Sequence, residues 1–510
     1  MKFSFIYGLL VFLRIFLHVN IQNGYIHPDE FFQTIEISAG DVLNFKIMPP
    51  WEFDSKFPIR SKAIIEIFIN VPLRAYLELR ELFSNFKYLP FDLLTFCRFW
   101  TSICSIIVDY FIYKMCLMVN ANFKLALLLH GFSHISVVYL SRSFTNVWET
   151  QLLSLFGIFI IKKRNFTNQV AQGIIIAIGV FCRPTFPIFV FPYIVISIIP
   201  FDFIVVSKYA INGLIGFLST AIVLISFDTA KYASEHGVYS FSDYIITPIN
   251  FINYNRNVDN LLHHGYHPWF VHLLVNLPMM LGILALLTLF APLLCGFRKS
   301  ISKLWLCVMT PLVMLSIFPH QEMRFLLPVY PVSIVIVSLM FTIKKSHRFT
   351  KFILLSHLVF SLLSILFWGY LHQAGVMEAA RLIQRSMTGG DLCRHSIIAY
   401  KSFLMPQFPF SIPIGRNCNW SIHNLVGLDE SQFWNRSIEL RQELVPKSVL
   451  HLREPGEGVM GLSHSWRWGI ITHRIEWGLV FHFILIFKGS NSSERILSSG
   501  YMEEQWSRVK

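Results

Sequence analysis

The sequence predicts an all-α polytopic membrane protein with about eleven transmembrane helices and a small lumenal C-terminal domain. Of its 510 residues 54% are hydrophobic, only 14% are charged, and 49 are phenylalanine. Soluble globular proteins carry about 25% charged residues. A water-soluble fold could not bury this much apolar surface, so most of the chain lies in a bilayer. Disordered, collagen-like and disulfide-stapled secreted proteins are thereby excluded.

The apolar runs predict the helices one by one. The N-terminal run of about 17 residues lacks a small-residue cleavage site, which favours an uncleaved signal anchor over a cleaved signal peptide. Several later runs are shorter than the ~20 residues of a straight span. The ten further runs lie at 93–119, 124–141, 147–161, 169–184, 186–204, 208–227, 270–293, 303–318, 325–343 and 352–371.

Basic clusters predict the orientation of these helices. Residues 162–164, 298–303 and 344–351 are rich in Lys and Arg and lie between apolar runs. Such clusters favour the cytosolic side of a membrane. They also account for the net charge of +13 without nucleic acid, for which no motif is present. With the N-terminus inside, the lumenal regions are 20–92, 141–147, 228–269, 319–324 and the tail after 372.

Charged residues and histidines concentrate in these lumenal regions. A proton-coupled carrier would more often place carboxylates in the middle of its spans. The pattern therefore predicts a membrane enzyme whose site faces one aqueous compartment. Residues 1–372 would form its catalytic region, with interfacial helices in the first lumenal loop, 20–92, and 373–510 would form the separate domain. A lumen-facing lipid transporter or scaffold is the alternative from another class.

The tail, 373–510, has a mixed polar composition with one apolar stretch at 479–487 that predicts a buried strand. Cys393 and Cys418 could form one disulfide if the tail is lumenal. The sequon at Asn165 falls on the predicted cytosolic side, so we expect it to be unmodified. Three sequons in the tail are glycosylation candidates: Asn419, Asn435 and Asn491.

The first candidate site is the block HPDEFFQ at residues 27–33, directly after the first apolar run. Pro28 suits the first turn of a helix, and the helix dipole favours acidic residues there. One interpretation is an ordinary acidic helix start. The other makes Asp29, with Glu30 and His27 beside it, a general base at the lumenal surface. Later in the same loop, Trp51 and Arg60 are candidate substrate contacts, although such a tryptophan is more often an interfacial anchor.

The second candidate is the block SRSFTNVWE at residues 141–149. Arg142, Asn146 and Glu149 recur there at helical spacing between two spans. Arg142 could simply mark a helix end. An arginine on the lumenal side opposes the orientation rule, however, which favours a specific anionic partner such as a phosphate.

The third candidate is the block HQEMRF at residues 320–325, wedged between two apolar runs. His320, Glu322 and Arg324 form either a solvated turn or part of a site. Further lumenal polar candidates are Arg183, Asp228, His264 and His267. The histidines near residue 264 lack a carboxylate or cysteine at zinc-ligand spacing, so no metal is expected.

A carboxylate base and several cations at one aqueous face suit group transfer from a lipid phosphate. The base deprotonates an acceptor hydroxyl, and Arg or His neutralises the departing phosphate.

These motifs resemble the dolichol-phosphate-mannose-dependent mannosyltransferases of glycosyltransferase family 22, which have the GT-C fold and reside in the endoplasmic reticulum. The resemblance rests on HPDEFFQ, PWEF at 50–53 with Arg60, SRSFTN at 141–146 and HQEMRF. Three further stretches are most similar to the branch that acts on GPI-anchor precursors. They are TPINF at 247–251, HGYHP to HLLVNLP at 264–278, and HQAGV at 372–376, which adds His372 and Gln373 to the candidates.

The resemblance implies an inverting transfer of mannose from dolichyl phosphate mannose to the 2-hydroxyl of the third mannose of a GPI precursor, without a cofactor. It makes Asp29 the base, with Glu30 positioning either Asp29 or the acceptor. Enzymes that add the third GPI mannose or extend lipid-linked oligosaccharides are the alternatives within the family.

Overall fold

The structure is a computed structural model that divides into two compact units. The first comprises Met1–Ala374 with Pro406–Ser411, and the second Gly375–Met405 with Ile412–Lys510. The division predicted between 372 and 373 falls beside the first of these boundaries. The structure describes residues 3–20, 22–45, 47, 49–83, 90–162, 164–199, 201–236, 244–257, 259–260, 265–345, 347–387, 394–400, 403–410, 419–424, 429, 432, 435–436, 439, 467–471 and 483–489.

The first unit is helical, as its apolar runs predict. Each predicted run coincides with one helix or with a chain of short helices. The α-helices are α1 Phe3–Asn20, α2 Glu36–Leu43, α3 Lys62–Ile65, α4 Val71–Phe83, α5 Pro90–Cys104, α6 Ile106–Val119, α7 Phe123–Gly131, α8 His134–Val137, α9 Thr145–Ile161, α10 Phe166–Cys182, α11 Phe186–Ile198, α12 Phe203–His236, α13 Thr247–Arg256, α14 Leu277–Leu281, α15 Ile283–Leu289, α16 Ala291–Cys295, α17 Lys299–Leu315, α18 Tyr330–Lys344, α19 His347–Leu366 and α20 Ala374–Met387.

Short π- and 3-10 segments continue or join these helices. The π-helical segments are Phe31–Ile35, Glu66–Asn70, His272–Asn276 and Phe367–Leu371. The 3-10 segments are Trp51–Phe53, Tyr139–Ser141, Met323–Val329 and Phe408–Phe410. The run predicted at 270–293 is one such broken chain, interrupted at Gly282, whose φ is 58°. Glycine adopts this left-handed backbone without the steric cost of a Cβ.

Within the described residues, four helices are long and apolar enough to cross a membrane: Phe91–Val119, Phe203–Ser234, Met323–Lys344 and Arg348–Arg381. The bent pair Phe123–Gly131 and His134–Ser141 would make a fifth. Shorter apolar helices lie at Phe3–Leu17, Thr145–Ile161, Phe166–Cys182, Phe186–Ile198 and His272–Leu281. The chain is therefore a membrane protein, while the count of eleven spans stays a prediction.

Burial distinguishes a central helix from lipid-facing ones. In α18 every residue from Tyr330 to Phe341 is buried. By contrast, α12 exposes large apolar side chains such as Phe203 and Val223, 74% and 65% exposed. A soluble surface rarely carries such a long apolar stripe. α12 nevertheless lies close against α10, because a Cβ on Gly216 would overlap the backbone of α10 at Val170.

The second unit contains a four-stranded sheet of order β2-β1-β4-β3. Its strands are β1 Arg394–Tyr400, β2 Asn419–Asn424, β3 Arg467–Ile471 and β4 Phe483–Gly489. β1 runs parallel to β2 and antiparallel to β4, with Ile397 opposite both Ile422 and Ile486. The all-α class therefore holds for the first unit only. β4 overlaps the strand predicted at 479–487, of which 479–482 lie outside the described residues.

Candidate active site

The helical turn that carries Asp29 begins at residue 28. The carbonyl of Pro28 accepts the N–H groups of Phe31 and Phe32 at 2.9 and 3.0 Å. When neutral, His27 accepts the Asp29 N–H at Nδ1, at 3.2 Å, and satisfies one of the free donors of a helix start. When protonated, it donates instead from Nδ1 to Asp29 Oδ1, 3.1 Å away. The chain then continues through the π-helical segment Phe31–Ile35 into α2. The proline, as predicted, stands at the start of a helix.

Asp29 pairs with Arg324, which lies 295 positions further along the chain. Arg324 Nη1 donates to Asp29 Oδ2 at 2.5 Å, and His27 Nδ1 lies 3.1 Å from Asp29 Oδ1. Burial would raise the pKa of the Asp29 carboxyl, but Arg324 and His27 outweigh it and hold this pKa well below its usual value. Asp29 is therefore ionised at neutral pH and is able to accept a proton.

Glu322 joins the rest of the third block to this pair. It accepts from His320 Nε2 at 2.9 Å and from Arg324 Nε, and His27 Nε2 lies 3.6 Å away. We call His27, Asp29, His320, Glu322 and Arg324 the Asp29 cluster. Although burial and Arg324 would lower the pKa of His27, the two carboxylates raise it overall. The side chains of His27, His320 and Glu322 remain 23–27% exposed, so part of the cluster is accessible from outside the protein.

Glu30 does not share this cluster and is not placed as a catalytic group. Its carboxylate accepts from Arg98 Nε at 2.7 Å and from Arg142 Nη1 at 3.4 Å, and its side chain is fully buried. Arg142 Nη2 also donates to Gln22 Oε1 at 3.1 Å. The predicted phosphate contact of Arg142 is thus replaced by a buried ion cluster, formed by Gln22, Glu30, Arg98 and Arg142. A carboxylate without solvent access, paired with two guanidinium groups, is a poor acceptor for a substrate proton.

Arg98 and Gln22 are the two members of this buried ion cluster that the sequence did not predict; Arg98 carries the charge. It lies in α5, inside the apolar run predicted as a span. The sequence could have indicated that Arg98 has a partner, because a charged residue inside an apolar run is costly unless it is paired.

Asn146 and Glu149 extend the Asp29 cluster along the first turns of α9. Asn146 Oδ1 accepts from both Arg324 and Arg183 at 3.4 Å. Arg183 Nε lies 3.5 Å from Glu149 Oε2, and Thr185 Oγ1 donates to Glu149 Oε1 at 3.1 Å. The helical spacing predicted for Asn146 and Glu149 is observed, whereas Arg142 precedes the helix with an extended backbone.

The loop around residue 51 is hydrogen-bonded to the π-helical segment Phe31–Ile35. Gln33 Nε2 donates to Glu52 Oε2 at 2.8 Å, and Arg60 pairs with Glu52 Oε1 at 2.9 Å. Trp51 is half exposed, and its ring centroid lies 4.8 Å from that of Tyr254 in α13. Arg60 thus holds the loop closed, while Trp51 offers an aromatic face to a ligand or a membrane interface.

Two further candidates have structural partners. Asp228 is fully buried and accepts from the Ala63 N–H at 2.9 Å and from Thr247 Oγ1 at 3.2 Å, so it caps the first turn of α3. His267 Nδ1 accepts the Gln321 N–H at 3.4 Å, and its ring lies 6.0 Å from that of His320. His267 therefore borders the Asp29 cluster, whereas Asp228 does not contact it. His264 lies outside the described residues.

His372 is hydrogen-bonded to the backbone just before the turn that carries Asp29, and Gln373 is the next residue along the chain. His372 Nδ1 lies 2.8 Å from the Tyr25 carbonyl oxygen, and the Tyr25 N–H donates to the His372 carbonyl at 2.9 Å. Gln373 follows with a left-handed φ of 51°. This turn fixes the chain two residues before His27.

The tail candidates remain predictions. Asn419 begins β2, and Asn435 is described and exposed. Asn491, Cys393 and Cys418 lie outside the described residues. Glycosylation and the lumenal placement of the second unit stay predictions. The expected independence from metals and cofactors also stays a prediction.

Comparison with known proteins adds a family to this geometry. A model described as the Alg9-like mannosyltransferase family matches residues 5–393. A protein named GPI mannosyltransferase 4 from Candida albicans is 33% identical, with 70% of this chain and 72% of that relative covered. One of the same name from Schizosaccharomyces pombe is 31% identical, over 81% and 74%. The crystal structure of ArnT from Cupriavidus metallidurans bound to undecaprenyl phosphate has a TM-score of 0.47 at 10% identity, over 75% of this chain and 72% of that one.

Proposed function

The chain belongs to the Alg9-like mannosyltransferase family, and from that premise we propose that it adds the fourth mannose to the GPI-anchor precursor. The donor is dolichyl phosphate mannose, and the acceptor is the 2-hydroxyl of the third mannose of the precursor glycolipid. The reaction takes place at the lumenal face of the endoplasmic reticulum membrane. The relatives named GPI mannosyltransferase 4 support this choice within the family.

The observation that carries the proposal is the contact between Asp29 and Arg324 at 2.5 Å in a partly exposed cluster. The transfer needs a base for the acceptor hydroxyl and a cation for the departing phosphate, and here the two adjoin. The acceptor oxygen attacks C1 of the mannose while its proton passes to Asp29. The C1–O bond to phosphate breaks, and its electron pair leaves with dolichyl phosphate. One direct displacement converts the β-linked donor into an α-linked product.

Arg324 also controls the pKa of Asp29, and therefore how strong a base Asp29 is. In the structure this guanidinium contacts Asp29, Glu322 and Asn146. A donor phosphate offers a stronger anionic partner and draws part of this interaction away from Asp29. The pKa of Asp29 then rises towards its usual value. His320 and His267 line the same side of the cluster and supply further donors for the phosphate or the sugar.

The test is complementation of cells that lack the fourth GPI mannosyltransferase, with GPI precursors read by mass spectrometry. The wild type, Asp29→Asn and the control Asp54→Asn are compared at matched expression. Asp54 is an exposed carboxylate of the same loop, hydrogen-bonded to the Lys56 N–H at 3.0 Å. We expect a four-mannose precursor with the wild type and the control. Asp29→Asn should accumulate the three-mannose form, because loss of a general base costs about 10²–10⁴-fold in rate.

Two outcomes would contradict the proposal. If the wild type itself leaves the three-mannose precursor, the acceptor assignment is wrong, and the step that adds the third mannose is tested next. If Asp29→Asn forms the four-mannose precursor as well as the wild type does, Asp29 is not the base. A lipid transporter that binds without chemistry would give the first result, because it cannot supply the missing mannosyl transfer.

A further inference from the structure

A short piece of the chain beyond the last helices returns to the catalytic unit. Pro406–Ser411 belongs to the first unit, whereas the residues before and after it belong to the second. We call it the return segment. Its 3-10 turn Phe408–Phe410 is buried, with Phe408 at 0% and Phe410 at 2% exposure. A connection this well buried makes specific contacts, which identify what it holds.

The return segment is fastened by the carboxylate of Glu36. Glu36 Oε1 accepts the Phe408 N–H at 2.8 Å and the Gln407 N–H. Glu36 is fully buried at the start of α2, which continues directly from the π-helical segment Phe31–Ile35. A buried backbone donor without a partner is costly, and Glu36 Oε1 supplies the acceptor for two of them. Glu36 therefore ties the segment to the helix that begins with Asp29.

The ring of Phe408 packs against the same helix one turn earlier. It lies parallel to Phe31, with centroids 6.4 Å apart and an interplanar angle of 7°, and it meets Phe91 edge-on at 6.0 Å. Phe31 is held on another side by Tyr25 at 4.4 Å. Phe31 stands two residues after Asp29 and donates its N–H to Pro28. Displacement of Phe31 therefore displaces the turn that orients the Asp29 carboxylate.

We propose that the return segment, through Phe408 and Glu36, positions the Asp29 turn for mannosyl transfer. Phe408 and Glu36 are positioning residues, since they act through Phe31 and α2. The inference rests on the function proposed above. It gives a segment that follows α20 in the sequence a role in catalysis.

A purely structural link between the units would have different consequences. It would lower the amount of folded enzyme without changing the turnover of the molecules that fold. A positioning role lowers kcat in folded enzyme and leaves the KM for the donor near the wild-type value, because the ring of Phe408 packs on Phe31 and Phe91 and acts on the Asp29 cluster only through the turn. Misplacement of a reacting group by about 1 Å costs up to about 100-fold in rate.

The experiment measures kcat and donor KM of purified full-length enzyme with dolichyl phosphate mannose and a three-mannose GPI acceptor. The variants are Phe408→Ala, Phe408→Leu, Glu36→Ala and Glu36→Gln. Phe166→Ala removes an exposed ring at the start of α10 and is the matched control. The amount of folded enzyme is fixed by size-exclusion chromatography before rates are compared.

We expect kcat of Phe408→Ala and Glu36→Ala to fall about 10- to 100-fold at unchanged donor KM. Phe408→Leu should recover most of kcat, since it fills the site. Glu36→Gln should keep it, because the amide oxygen accepts the same two N–H groups. If Phe408→Ala does not fold, Glu36→Ala against Glu36→Gln decides. Wild-type kcat in folded Phe408→Ala or Glu36→Ala would overturn the inference, and an inactive wild type would instead overturn the proposed function.

Discussion

Replacement of Glu30 by glutamine separates the two adjacent acids of the HPDEFFQ block. Glu30 is fully buried, with Arg98 Nε at 2.7 Å and Arg142 Nη1 at 3.4 Å. Removal of its charge leaves two guanidinium groups buried without their carboxylate. Breaking a buried ion pair from one side costs about 3–5 kcal/mol. The glutamine oxygen keeps one hydrogen bond, so we expect the lower end, about 3 kcal/mol.

Thermal unfolding in detergent measures this effect. At about 2 °C per kcal/mol for a large domain, the expected decrease in Tm is about 6 °C. The control is Glu378→Gln, which removes an exposed pair with Arg381 at 3.5 Å. Exposed pairs contribute about 0–1 kcal/mol, so its Tm should stay near the wild-type value. Asp29→Asn should lose activity, and its Tm should fall less than that of Glu30→Gln, because Arg324 keeps Glu322 as a carboxylate partner.

The opposite pattern would refute this reasoning. A Glu30→Gln enzyme with wild-type Tm and no activity would mean that Glu30 takes part in the chemistry. The buried ion cluster would then have no structural role, and the assignment of Asp29 alone as the base would be wrong.

Two further predictions concern pH. Arg324→Gln removes the cation that lowers the pKa of Asp29, so the acid limb of kcat/KM should move to higher pH, and an unchanged profile would contradict the pairing. Burial raises the pKa of Glu36 to about 7 from 4.5, against the opposing hydrogen bonds from Phe408 and Gln407. The native state therefore holds this proton more tightly than the unfolded chain. As the pH rises from 4.5 to 7, the stability that this group contributes falls by about 3 kcal/mol. When Tm is measured against pH, Glu36→Gln should not show that fall. If Tm falls with pH equally in the variant and in the wild type, the argument is wrong.

Hydropathy was sufficient to locate the apolar helices, because each apolar run must satisfy its backbone polar groups internally. It could not show where those helices break. The run 270–293 divides at Gly282, whose positive φ depends on the packing of its neighbours. The strand predicted at 479–487 could also be located from hydropathy, because all of its residues except His482 are apolar.

The candidate site was predictable only as a set of polar blocks. Density of charge identified HPDEFFQ and HQEMRF, but not the pairing of Asp29 with Arg324 across 295 positions. Adjacent residues on a helix point in different directions, which is why Glu30 turns to Arg98 while Asp29 does not. The partner of Glu36 lies 372 positions away in an unremarkable tail sequence. Pairings of this kind are decided by tertiary packing, on which local patterns carry no information.

The two acids of the block show how the same chemistry acquires different roles. Asp29 and Glu30 both pair with arginine, at 2.5 and 2.7 Å. Glu30 is enclosed with its partners, so an exchange of partners would expose buried charge and is costly. Asp29 pairs with Arg324 beside side chains that reach solvent, so a phosphate can compete for the guanidinium there. Solvent access to each ion pair, and not the strength of the pair, therefore distinguishes the acid that can change its protonation state from the acid that stabilises the helix.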